Sequence, residues 1–266
     1  MDTRFWGPSG WRLLHLISFR KHPHAKHTQT FFQHLPYVLP CKFCRASLAE
    51  YYTDDPVPSE GFAEWLYRIH NRVNGKLRGQ NLLHTEDPSW EEVRTRYETI
   101  LRTPCSTREM IGWDFLFSIA YTTPCSAVAT SPMPNAPPMS QLTTPELRNR
   151  WGVMSRKERL PYLHTFWKTL PNVLPIQQWQ DTWKQVVSPP PNPEKGRRSV
   201  TEWLYKAERS MCRALQEASK HSSFTGLCSE LNTFSSGCGK DRRRIVTCRA
   251  KRSKLRATLK HRHTHM

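Results

Sequence analysis

Two cysteines three residues apart, in Leu39-Pro40-Cys41-Lys42-Phe43-Cys44-Arg45, constrain this chain more than any other feature. Pro40 continues a preceding helix poorly, so it reads as a break after which the cysteines open a new helix. At a helix N-terminus the backbone dipole, with Lys42 and Arg45 nearby, lowers a thiol pKa and favours the thiolate. That is the chemistry of a redox dithiol. The same spacing also supplies two ligands of a zinc site. A zinc ribbon needs a second such pair, and no other Cys-x-x-Cys occurs; the next cysteine is Cys105.

The chain of 266 residues is long enough for one large or two small domains. The start Met1-Asp2-Thr3-Arg4-Phe5-Trp6 lacks the charged-then-apolar pattern of a signal peptide. The longest apolar run, Ile111 to Tyr121, is interrupted by Asp114 and is too short to span a bilayer. A soluble cytoplasmic protein without a membrane span is expected. Eight cysteines in that compartment argue for reactive or metal-bound thiols over a secreted disulfide framework.

Helical periodicity organises the first hundred residues. Trp6-Gly7-Pro8-Ser9-Gly10 reads as a turn into a helix on which Trp11, Leu14, His15 and Ser18 share a face. His15 there suits either a core position or a polar cofactor edge. His22, His24 and His27 read as a solvated loop and not as a metal site. A helix over 28–39 buries Phe31, Phe32, Leu35 and Val38; the cysteine helix runs on to about Tyr52. Another carries His70, Asn71 and Asn74 one turn or less apart on an otherwise apolar stretch, an arrangement that is costly unless those groups meet partners. A cofactor with ring nitrogens and hydroxyls would satisfy them, as would solvent. Residues 90–101 suggest one more short helix.

Taken together, Trp6-Gly7, Trp11, Leu14-His15, then Pro40-Cys41-Lys42-Phe43-Cys44, then His70-Asn71-Arg72-Val73-Asn74-Gly75-Lys76-Leu77 resemble the Erv/ALR family of FAD-dependent sulfhydryl oxidases. The likeness covers residues 1–101 and is greatest to members from large cytoplasmic DNA viruses. It implies an all-α fold, a four-helix bundle holding FAD beside the dithiol. Cys44 would face the flavin as the charge-transfer thiolate, and Cys41 would exchange with an incoming dithiol. Trp11, His15, Tyr51, His70, Asn71, Val73, Asn74, Lys76, Leu77 and Trp90 would line FAD, and no metal is implied. Electrons would pass from dithiol protein substrates through Cys41-Cys44 and FAD to molecular oxygen, giving hydrogen peroxide. A homodimer is one expected assembly, and host cytoplasm or virion the expected location. One departure stands out: many relatives carry a structural cysteine soon after the His-Asn helix, and none lies between Cys44 and Cys105 here.

The second half echoes the first in order. Gly112-Trp113 to Tyr121 parallels Gly10-Trp11 to Phe19, Phe166 to Pro175 parallels Phe31 to Pro40, and Glu202-Trp203-Leu204-Tyr205 parallels Glu64-Trp65-Leu66-Tyr67. Ile176 and Trp179 stand where the cysteines would be, and Glu208, Arg209 and Cys212 replace His70, Asn71 and Asn74. The expected organisation is an oxidase domain over 1–101, a degenerate helical copy over 108–218, and a basic disordered tail over 219–266. From Lys240 on there are eleven Lys or Arg and one acid, a large part of the chain's +18, so polyanions are expected partners of the tail. Cys228, Cys238 and Cys248 on it read as uninvolved thiols, a shuttle pair being the other reading. The competing view of the whole is a helical scaffold with a structural or zinc-bound Cys-x-x-Cys and a nucleic-acid-binding tail.

Overall fold

A computed structural model describes residues 1–21, 25–103, 110–124 and 132–235. Regular structure in the described residues is helical throughout. The first half contributes α1 (Thr3–Phe19), α2 (Ala25–Val38), α3 (Lys42–Asp54), α4 (Phe62–Gly79) and α5 (Trp90–Arg102). The second contributes α6 (Trp113–Tyr121), α7 (Pro145–Arg150), α8 (Arg156–Val173), α9 (Gln177–Val186), α10 (Arg197–Leu215) and α11 (Phe224–Ser235). None of these helices is long and apolar enough to cross a membrane.

Two expectations are corrected. The stretch Trp6–Gly10 is not a turn: α1 already starts at Thr3, capped by the Asp2 carboxylate on the Arg4 amide. Its glycine at position 10 serves packing, since a β-carbon there would stand 3.0 Å from the Phe115 ring on α6. The tail also begins later than residue 219. Leu227 and Leu231, one turn apart on α11, are buried. The same helix stacks Phe234 on Phe5 at 4.3 Å and accepts the Asp2 amide on the Phe234 carbonyl. Cys228 therefore lies on a folded helix, while Cys105, Cys125, Cys238, Cys248 and the basic residues from Lys240 on fall outside the described residues, as do His22 and His24.

One core runs through both halves. Leu13, Phe31, Phe32 and Trp65 join Phe115, Phe166, Trp167 and Leu204 in a single buried cluster. The broadest packing is α2 on α8, followed by α10 and α1 on α6. Burying side chains of this size stabilises by roughly 1.5–3 kcal/mol each, so the α2–α8 and α1–α6 seams tie the halves firmly together. Within the first half, α1 packs on α4 and α5, and α2 on α3. The cysteine helix α3 and the His-Asn helix α4 meet through Lys76 on Ser47 and Arg72 over Tyr51.

Candidate functional site

Cys41 is the N-cap of α3. Its backbone is extended, and its Sγ accepts the Cys44 backbone N–H at 3.3 Å. A capping thiol therefore sits where helix amides point outward and negative charge is favoured. Hydrogen bonding from the Cys44 thiol, then the Cys44 amide, the charge of Arg45 and the Phe43 amide, bring the Cys41 pKa down to about 6 against the opposing effect of burial. Arg45 is itself buried and donates to the Leu39 carbonyl at 2.8 Å. Burial pushes its pKa down, while the two cysteines hold its charge in place. Lys42 lies over the Phe43 ring, 5.4 Å from its centre.

The His-Asn helix α4 faces α1 and α5. His70 stacks on Trp11 at 3.8 Å, and its Nδ1 is 2.9 Å from His15 Nε2. A hydrogen bond between two imidazoles needs one donor and one acceptor, so this geometry suits two neutral rings. Burial supplies the reason. It lowers the His15 pKa to about 3, aided by the charges of His70 and Arg96, and that of His70 to about 4, with Asp87 opposing. His15 stacks in turn on Tyr97 at 4.8 Å. A small cavity of about 50 Å³ opens against these rings, lined by His15, His70, Asn71 and Asn74 together with Tyr67, Pro88, Val93, Arg96 and Tyr97.

The other expected residues lie around this frame. Asn74 donates to Asp87 at 2.7 Å, and the same carboxylate pairs with Arg78. Trp90 packs on Phe19 and Tyr67 at the start of α5. Lys76 donates to Ser47, three residues beyond Cys44, which ties α4 to the cysteine helix. Tyr51 is buried on α3 beneath the Arg72 guanidinium. Val73 packs against the main core, and Leu77 is half-buried on the last turns of α4. The cavity thus gathers His15, His70, Asn71 and Asn74; Trp11, Val73, Lys76, Leu77, Tyr51 and Trp90 border it or the α3–α4 seam without lining it. Sequence reasoning misses Tyr67, Pro88, Val93, Arg96 and Tyr97. The readable signal is Val93 and Tyr97 at i, i+4 on α5, both buried.

An acidified dithiol at a helix N-terminus, on a helical bundle with a neutral-histidine cavity, describes a helical thiol-redox protein. The sequence profile of the Erv1/Alr family matches residues 8–98. The FAD-linked sulfhydryl oxidases of three African swine fever virus isolates, from Kenya, Namibia and Malawi, are each 36% identical to the chain over 107 residues. Each match covers 37% of this chain and 85% of the viral protein. No solved structure matches the chain. The chain belongs to the Erv1/Alr family.

Proposed function

We propose that the protein is an FAD-dependent thiol oxidase that introduces disulfides into protein substrates. The observation that carries this reading is Cys41 at the N-cap of α3, with its thiol acidified to about 6. A substrate thiolate attacks the Cys41 sulfur of the oxidised pair, forming a mixed disulfide and releasing Cys44. The second substrate thiol then displaces Cys41, so one substrate disulfide forms and the pair gains two electrons and two protons. The low Cys41 pKa makes it a good leaving group in that displacement.

The cavity residues fit FAD on one observation in particular: His15 Nδ1 is buried without a hydrogen-bond partner. An orphaned ring nitrogen beside two amide side chains and stacked rings matches a planar, heteroatom-rich ligand. In this reading His15, His70, Asn71 and Asn74 bind it directly, and Trp11, Tyr51, Val73, Lys76, Leu77 and Trp90 frame it. FAD held there supplies the two-electron acceptor for the reduced Cys41-Cys44 pair, with oxygen as terminal acceptor and hydrogen peroxide as product.

Residues 108–218 form, on this reading, a degenerate copy of the oxidase domain. Matching interactions support it. Arg45 donates to the Leu39 carbonyl, and Gln180, at the parallel position, donates to the Leu174 carbonyl. Tyr67 donates to Pro88 ahead of α5, and Tyr205 to Ser222 ahead of α11. By extension the copy reaches through α11. With the second half packed on α1 and α2, a homodimer would form through another face. The basic tail would contact polyanions, with binding that falls steeply as salt rises. The viral relatives support the cytoplasm of an infected cell, or the virion, as its location; fractionation of infected cells tests it.

The purified protein should be yellow and should consume oxygen with a small dithiol. Cys41→Ser or Cys44→Ser should abolish oxygen consumption while flavin stays bound, because neither cysteine lines the cavity. Full turnover in either variant overturns the mechanism.

A further inference from the structure

The turn that delivers Cys41 has a backbone problem, and residues of the second half solve it. Each proline inside a helical stretch lacks the amide that would bond the carbonyl four residues back. Pro36 so orphans the Phe32 carbonyl, and the Tyr52 hydroxyl of α3 fills the gap at 3.2 Å. The Pro36 carbonyl lies in the last turn of α2, where no helix amide follows and Pro40, two residues past the helix end, has none to offer. There the Asn149 side chain of α7 donates at 2.8 Å. The next carbonyl, Tyr37, accepts Arg159 Nε of α8 at 3.2 Å, and Leu39 accepts Arg45. Asn149 and Arg159 are 2% and 7% exposed, so water does not substitute for them.

Arg159 is a poor choice if stability alone is served. Its Nη2 is buried without a hydrogen-bond partner, and burial with the neighbouring Arg45 charge pushes its pKa well down. A neutral donor would bond the Tyr37 carbonyl without a buried cation. The Arg159 bond to the Tyr37 carbonyl fixes the turn from behind, while the charge that favours the Cys41 thiolate comes from Arg45.

We propose that Asn149 and Arg159 are positioning residues for the redox dithiol, fixing through the Pro36 and Tyr37 carbonyls the turn that sets Cys41 at the N-terminus of α3. The second half is then part of the active site's frame. The proposal rests on Cys41-Cys44 being the redox pair. Only the reduced pair presents a thiolate to the Cys44 amide and the helix terminus. A loosened turn weakens that stabilisation and shifts the pair toward its disulfide.

The test equilibrates the full-length protein in glutathione buffers and counts reduced Cys41-Cys44 by alkylation, a readout independent of flavin turnover. Asn149→Ala and Arg159→Met should each shift the equilibrium at least tenfold toward the disulfide, about 30 mV in potential. Arg159→Lys, which keeps a donor and the charge, should lie between wild type and Arg159→Met. Leu231→Ala, a core truncation on α11, controls for destabilisation: it should lower the melting temperature yet leave the equilibrium within twofold of wild type. The proposal is overturned if Asn149→Ala and Arg159→Met also stay within twofold while melting earlier. Should either fail to fold, Asn149→Ser and Arg159→Lys are judged by whether they leave that twofold band. A wild-type pair that does not cycle in glutathione at all would sink the redox reading itself, a result distinct from an unshifted variant.

Discussion

Cys41 concentrates the chemistry because four effects converge on one sulfur: the Cys44 thiol, two backbone amides and the Arg45 charge. The expected consequence is a thiolate at neutral pH. In the reduced protein, the rate of Cys41 alkylation by iodoacetamide should rise with a midpoint near 6 and not near the ordinary 9.0. Arg45→Met should move that midpoint up; an unchanged midpoint would remove Arg45 from the explanation. The histidines give the opposite pH lesson. His15 and His70 stay neutral in the folded chain until about pH 3 and 4, while the unfolded chain takes up protons near 6.5. Between those values the unfolded state binds more protons, so stability is whole above about 6.5 and is lost as pH falls toward 4. The loss is at most about 1.4 kcal/mol per pH unit for each histidine. The melting temperature of His70→Gln should fall less over that range than that of wild type. An equal fall would mean His70 does not titrate as buried. The cysteine pair was legible in sequence because spacing and a preceding proline suffice. The His15–His70 bond was not, since it joins residues 55 positions apart whose meeting depends on how α1 packs on α4.

At the level of elements, local pattern located α4 and α5 well and misread the start of α1. Gly7, Pro8 and Gly10 are turn signals in isolation. In the fold, Pro8 sits inside α1 and Gly10 lets that helix approach α6, so tertiary contact overrides propensity. The two glycines separate propensity from packing on one helix. Beyond its chain neighbours and its own helix backbone, a β-carbon at Gly7 meets nothing within 4 Å, whereas one at Gly10 meets two Phe115 ring carbons at 3.0 and 3.1 Å. Gly7→Ala should therefore change stability by less than about 1 kcal/mol, because the gain in helix propensity is opposed by crowding of the β-carbon against the Pro8 ring. Gly10→Ala should destabilise by about 1–3 kcal/mol through overpacking. Urea melts of both variants check the pair; a Gly10→Ala protein as stable as Gly7→Ala would show that the α1–α6 seam has slack. The other misreading, α11 taken as tail, has a compositional cause. Its buried leucines are diluted by serine, threonine and asparagine, and its anchor, the start of α1, lies more than two hundred residues away.

Across the whole molecule, α1 packs on α6 and α2 on α8, so two elements of the first half meet the ones their sequences resemble. Phe31 even stacks on its parallel residue Phe166 at 5.0 Å. Contacts between like elements are what an isologous two-fold interface produces, here within one chain. On the proposed repeat, the likeness stops at the His70 cavity. Where the first half opens a cavity behind His70, the parallel Glu208 is 1% exposed and is occupied by the Ser219 hydroxyl at 2.8 Å and the Lys220 amide at 3.2 Å. Trp183 stacks on Trp113, the counterpart of Trp11, at 6.2 Å, and Trp179 fills the position of Cys44 in the core. On that reading, indole rings and a carboxyl group already bonded to Ser219 and Lys220 stand where the first half has its cavity. The full-length protein should accordingly hold one FAD per chain. Flavin released by denaturation, quantified by absorbance against protein from amino-acid analysis, measures this directly. A ratio near one fits a single working cavity with a filled counterpart. A ratio near two would mean that the second half opens to bind flavin, and that its substitutions mark a different site and not a lost one.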